Sequence, residues 1–142
     1  MTDIVVPERF RGPPQSGNGG YVTGIIADRL TSAQTPPPHA AAEVTLRAPV
    51  PLDQPLAVTH DLNRLRVLDG ERLIVEAQLT ALELSVPEPP SFEEALAVRD
   101  GSPSLRVGPH SQLTGQRLGV HPICFCCGAE LAPDAGLHVY AA

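Results

Sequence analysis

Between Gly20 and Leu30 the apolar residues Tyr21, Val22, Ile25, Ile26 and Leu30 recur at spacings of three and four, the period of a helix with one long buried face. Asn18 or Ser16 is placed to cap it by accepting from amides of the first turn that have no partner within the helix. The prolines of "TSAQTPPPH" forbid its continuation. From Ala42 the period falls to two. In "EVTLRAPVP" Val44 and Leu46 alternate with Thr45 and Arg47, and two longer alternating runs follow, joined at Asp69-Gly70. That dipeptide suits a tight hairpin, so residues 55 to 68 and 71 to 84 are predicted as a long antiparallel pair with Leu73, Val75, Ala77 and Leu79 on one face. At the start of the chain, "IVV" reads as an edge strand that Pro7 ends.

Beyond Ser85 the periodicity weakens, and seven of the 16 prolines lie between Pro87 and Pro133. A short helix is predicted over Phe92 to Val98, because Ser91 and Glu94 have the spacing of a capping box. "RDGSPSLRVGPHSQLTGQ" reads as a surface excursion or tether, and "GLHVY" as a possible last strand. The chain therefore divides into residues 1–99, a single folded domain, and residues 100–142, a Pro/Gly-rich segment with a cysteine cluster. With 142 residues, 42% of them hydrophobic, there is enough for one core and too little for two.

Charge narrows the partners. Sixteen acidic side chains against ten basic ones give a net charge of -6, and the arginines are scattered, so no nucleic-acid partner is expected. Every basic residue is arginine; without lysine there is neither Schiff-base chemistry nor a P-loop. No apolar run approaches the roughly 20 residues that span a bilayer, and no export signal opens the chain, so a cytoplasmic protein without membrane contact is expected. Cys124, Cys126 and Cys127, crowded and odd in number, do not make a secreted disulfide framework.

The densest candidate for chemistry is "GPPQSGNGGYVTG", residues 12 to 24. A dinucleotide fingerprint begins correctly at Gly17-Asn18-Gly19, but its third glycine position holds Val22 and an antiparallel hairpin follows. A nucleophile elbow fails as well, since Ser16 is not flanked in a G-x-S-x-G pattern. What remains is close approach: Gly20 and Gly24 share a helix face, and the Gly19 and Gly20 amides open the helix where an anionic or carbonyl oxygen is welcome.

In this order "SGNGGYVTGIIADRL", "VTLRAPVPLDQPLAV", "RVLDGERLIVEAQL", "PEPPSFEEA" and "HPICFCCG" resemble the hotdog-fold thioesterase-like proteins. The resemblance implies an α+β fold in which a long central helix is wrapped by a curled, five-stranded antiparallel sheet. It also implies a homodimer or tetramer, and an acyl-CoA or related acyl thioester bound between subunits with its carbonyl oxygen at the helix N-terminus. By position Asn18 replaces the histidine of the family's H-G-G form, and Gly19 and Gly20 are its glycines. The family's helix acid falls on Ala27, and Asp28 follows one step later, about 100° around the helix. The resemblance thus makes Asn18, Gly19, Gly20 and Asp28 the catalytic candidates and Gln15, Ser16, Tyr21 and Arg47 the substrate-binding ones, with no cofactor. Hydrolysis of the thioester, non-catalytic acyl binding, and a structural half of a two-hotdog chain all fit this pattern.

Two smaller features stay apart from it. "HPICFCCG" spaces His121, Cys124 and Cys127 like part of a zinc site, yet no second C-x-x-C supplies the remaining ligands, so a metal- or cysteine-based interaction module rests on this cluster alone. His60 lies in an alternating strand and reads as a strand-face residue.

Overall fold

The computed structural model describes residues 3–12, 15–32, 40–61, 63–102, 122–128 and 130–139. Helix α1 runs over Gly19–Ser32, followed by strands β1 (Ala40–Leu46), β2 (Ala57–Asp61), β3 (Arg64–Asp69) and β4 (Arg72–Ala81) and helix α2 (Phe92–Val98). The strands form one antiparallel sheet in the order β1-β4-β3-β2, and α1 packs on one face of it. The fold is α+β.

The helix forms where its period predicts. Val22, Ile26 and Leu30, at successive four-residue steps, are fully buried, while Tyr21 and Ile25 cover the margins of the same core. Opposite them lie Val44, Leu65, Val67, Val75, Ala77 and Leu79 of the sheet. Burying large aliphatic side chains from both layers supplies about 1.5–3 kcal/mol each of favourable transfer energy, against which the ordering of the chain must be set.

The strand pattern needs three corrections. Residues 55 to 68 are not one strand but two: β2 and β3 pair with His60 opposite Leu65 and Asp61 opposite Arg64, so the chain reverses between them. The reversal is marked in the chain only by a change of parity in the apolar positions, from Leu56 and Val58 to Leu65 and Val67, with no glycine or proline to signal the turn. At the second hairpin Asp69 pairs with Arg72, which moves the loop one position onward to Gly70 and Glu71. Only Gly70 there has a positive φ, 59°, the glycine-first arrangement of a two-residue hairpin. Finally, the register shifts between Val67 and Leu68, which face Val75 and Leu73, leaving Ile74 as the extra residue of a bulge. Ile74 and Val75 are therefore both buried, breaking strict alternation, and the Ile74 carbonyl accepts from Arg47 (2.8 Å) and Ala48 (3.3 Å) where β1 leaves the sheet.

The predicted N-terminal edge strand is reduced to a single bridge: Ile4 and Leu56 exchange two backbone hydrogen bonds of 3.0 and 2.8 Å beside β2, so the sheet has four strands with one bridging residue where five strands were expected. "GLHVY" adds no strand to the sheet in its described part. The Leu137 and Val139 amides instead donate to Phe125 and Cys126. Helix α2 has the predicted bounds and cap: Ser91 Oγ accepts from the Glu94 amide at 3.2 Å, and the Glu94 carboxylate accepts from the Ser91 amide and from Ser91 Oγ, each at 2.8 Å, two bonds that hold its carboxyl below the usual range. None of α2 is buried. Among the described residues no helix is long and apolar enough to cross a membrane.

Candidate functional site

The glycine-rich stretch is a knot of backbone hydrogen bonds that fixes where α1 begins. Gly12 donates to Ser16, Gly17 to Val50 and Asn18 to Phe10, while Ser16 Oγ accepts from the Val50 amide at 3.0 Å. Close approach occurs at Gly17, where a β-carbon would stand 3.0 Å from both Val6 and Val22. It does not occur at Gly20 or Gly24: a β-carbon on Gly24 would meet nothing within 4 Å, and one on Gly20 only the Asn18 side chain. These two glycines line an open groove instead.

That groove, about 400 Å³, runs between α1 and β1 and is lined by Gly20, Thr23, Gly24, Ala27, Ala42 and Val44. Among the described residues β1 is an edge strand, paired only with β4, and the groove lies along it. Small side chains on both walls create it. Gly20, on the first turn of α1, is one of its lining residues, and the amides of Gly19 and Gly20 have no acceptor among the described residues.

Asn18 is the helix cap. Its Oδ1 accepts from the Tyr21 amide at 3.0 Å and its carbonyl from the Val22 amide at 2.9 Å, which occupies the side-chain oxygen in holding the helix start. Its Nδ2 points to Cys124 Sγ at 3.7 Å. Asn18→Ala is expected to cost about 0.5–2 kcal/mol through the lost cap, measured by urea denaturation, with Asn18→Asp recovering most of it.

The remaining candidates are dispersed. Gln15 is exposed, Ser16 is committed to Val50, and Tyr21 stacks on Phe10 with ring centroids 3.7 Å apart. Asp28 is exposed and does not line the groove, whereas Ala27 does. Arg47 belongs to the other face of the sheet, in a polar cleft of about 170 Å³ with Glu43, Thr45, Arg64, Glu76 and Gln78. There it pairs with Glu76, and that hydrogen bond, with the charges of Arg47, Arg66 and Arg64, holds the Glu76 carboxyl below its ordinary range. His60 is exposed on β2.

What the sequence did not foretell is that the cysteine segment sits on the mouth of α1. Residues 122–128 form a knuckle in which the Gly128 amide donates to the Cys124 carbonyl at 2.8 Å, and Glu130 donates to Pro122 at 3.0 Å. The Phe125 amide donates to Arg11 at 2.8 Å, and the Phe125 ring meets Phe10 edge-on at 4.9 Å and Tyr21 at 6.3 Å. Three of the chain's five aromatic rings converge there. Their scarcity and the glycine directly after the C-x-x-C were the available signals. His121 lies outside the described residues, and among the described ones no group of three potential ligands is arranged to hold a metal ion.

Comparison with family models, with curated proteins and with solved structures finds no significant match to this chain.

Proposed function

We propose that the groove between α1 and β1 binds an acyl thioester of the coenzyme A class, in a hotdog-type arrangement completed by a second copy of the chain. The observation that carries this reading is the groove lined by small residues that includes Gly20 at the start of α1, where the Gly19 and Gly20 amides have no acceptor among the described residues. A thioester carbonyl oxygen is a suitable acceptor for them, with the positive end of the helix behind. The acyl or pantetheine chain follows the groove, whose volume lies within the range of small-molecule sites.

The open edge of β1 supports pairing with its own copy. Antiparallel pairing about a two-fold axis at Glu43 would set like charges opposite each other, whereas an axis at Thr45 sets Glu43 opposite the partner's Arg47. The second register is the favoured one. It would roof each groove with the neighbouring subunit.

Binding is favoured over hydrolysis because no carboxylate lines the groove. Hydrolysis is the second reading, favoured by the same two amides, which would stabilise an oxyanion and contribute about 3–4 kcal/mol per donor. Asp28 would then act only as a remote base. On the binding reading, Asp28→Asn leaves affinity unchanged.

The test is a panel of short, long and aromatic acyl-CoA thioesters, measured by calorimetry for binding and by thiol release for turnover. Gly24→Leu is the informative variant, because Gly24 lines the groove and a β-carbon there would meet nothing within 4 Å. It is expected to raise stability by up to about 1 kcal/mol, since leucine is the better helix former, while weakening acyl-CoA binding at least tenfold. Binding without thiol release identifies a binder, and both together a hydrolase. Wild-type protein that neither binds nor cleaves any of the panel would end the reading, as would equal affinity in Gly24→Leu.

A further inference from the structure

The cysteine knuckle has no part in the groove, yet it gathers all three of the chain's cysteines. Cys124 is 8% exposed, whereas Cys126 and Cys127 are half-buried, and the turn over residues 124–128 sets Cys127 beside Cys124. The backbone brings these two sulfurs together. The Gly128 amide bonds the Cys124 carbonyl, and a β-carbon at Gly128 would lie 2.5 Å from the Pro122 carbonyl oxygen and 2.6 Å from the Cys124 nitrogen, so only glycine permits so tight a turn. Cys126 lies between the pair in sequence; adjacent cysteines such as Cys126 and Cys127 close only a small, strained ring.

We propose that Cys124 and Cys127 are a dithiol that closes to an intramolecular disulfide when oxidised by a low-molecular-weight disulfide, fastening the knuckle over the mouth of α1. Cys127, the more exposed of the two, attacks one sulfur of the oxidant as thiolate and expels the other half as a thiol, leaving a mixed disulfide on Cys127. Cys124 then attacks Cys127 Sγ, the second half of the oxidant leaves as a thiol, and the Cys124–Cys127 bond is formed. Two electrons and the two thiol protons pass to the oxidant, which becomes two thiols.

Burial, together with the neighbouring Cys124 and Cys126 thiols, pushes the Cys127 thiol up to about 12. The thiolate is therefore scarce near neutrality, and closure quickens by up to about tenfold per pH unit while the thiolate remains the minor form. The same property makes Cys127 a poor leaving group, so the bond, once formed, resists reduction by simple thiols. The pair behaves as a slow latch. This inference is independent of any acyl ligand, because it rests on the knuckle alone.

The experiment incubates the full chain with excess oxidised glutathione at pH 7 and at pH 9, quenches with acid, and maps disulfides by mass spectrometry without reduction. The expected product has lost two hydrogens, links Cys124 to Cys127, leaves Cys126 free for alkylation and forms faster at pH 9. In Cys124→Ser the reaction should stop at glutathione joined to Cys127, whereas Cys126→Ser should close normally. A map linking Cys126 to either neighbour, oxidation only between chains, or three unmodified thiols at pH 9 would overturn the proposal. So would uptake of one zinc ion per chain by the reduced protein that shields all three thiols from the oxidant. Because the wild-type map decides the pairing, the conclusion does not depend on either variant folding.

Discussion

Ile26→Ala is expected to remove about 2–5 kcal/mol of stability, a large part of the 5–15 kcal/mol typical of a single domain. Ile26 is fully buried at the middle of the face that α1 presents to the sheet, between Val22 and Leu30, which are buried to the same degree. Truncation there loses the transfer energy of the removed carbons and leaves a void that two rigid layers close only in part. Ile25→Ala is the internal control. Ile25 is only partly buried at the margin of the same core, so solvent and neighbouring side chains fill its place and the cost should be clearly smaller. Urea denaturation followed by far-ultraviolet circular dichroism reads both. Equal losses in the two variants would mean that α1 does not meet the sheet through the Val22, Ile26, Leu30 face.

Gly128→Ala is expected to open the knuckle while leaving the sheet and α1 in place. The added β-carbon would fall 2.5 to 2.7 Å from the Pro122 oxygen and from the Cys124 nitrogen and oxygen, all backbone atoms with no rotamer in which to retreat. Overpacking of this kind costs about 1–3 kcal/mol, and here it is relieved most readily by breaking the 2.8 Å bond from the Gly128 amide to Cys124. Cys124 would lose its cover and its contact with Asn18, and Phe125 its place against Phe10 and Tyr21. The clearest readout is alkylation of Cys124, nearly inaccessible in the wild type at 8% exposure and expected to become at least tenfold faster in the variant. Unchanged labelling would show that the turn accommodates a side chain and that the glycine is not what holds it.

The local elements were legible because each rests on an interaction spanning a few residues. Five apolar residues at three- and four-residue spacing define the buried face of α1, whatever it packs against. Ser91 and Glu94 cap α2 by bonds that close within three residues, so its bounds were readable to the residue even though none of it is buried. The second hairpin was readable from Asp69-Gly70, although the loop itself lies one position further on.

Where two distant segments must meet, the outcome belonged to the tertiary structure. Between β2 and β3 the apolar positions change parity, from Leu56 and Val58 to Leu65 and Val67, a weak trace of the reversal that only the pairing of Asp61 with Arg64 makes definite. The bulge at Ile74 lies where the chain leaves β1, and its carbonyl accepts from the Arg47 and Ala48 amides, a meeting of segments about 27 residues apart. At the candidate site, the glycine-rich stretch advertised an unusual backbone, yet which glycine is enclosed and which is open depends on Val6 and Val22 closing over Gly17 and on nothing facing Gly24. The cap was readable only as Asn18 or Ser16; packing decided for Asn18, whose second contact lies 106 residues away at Cys124. A hydrogen bond of that span leaves no periodic trace in the chain, because its partners are brought together by the packing of every element between them.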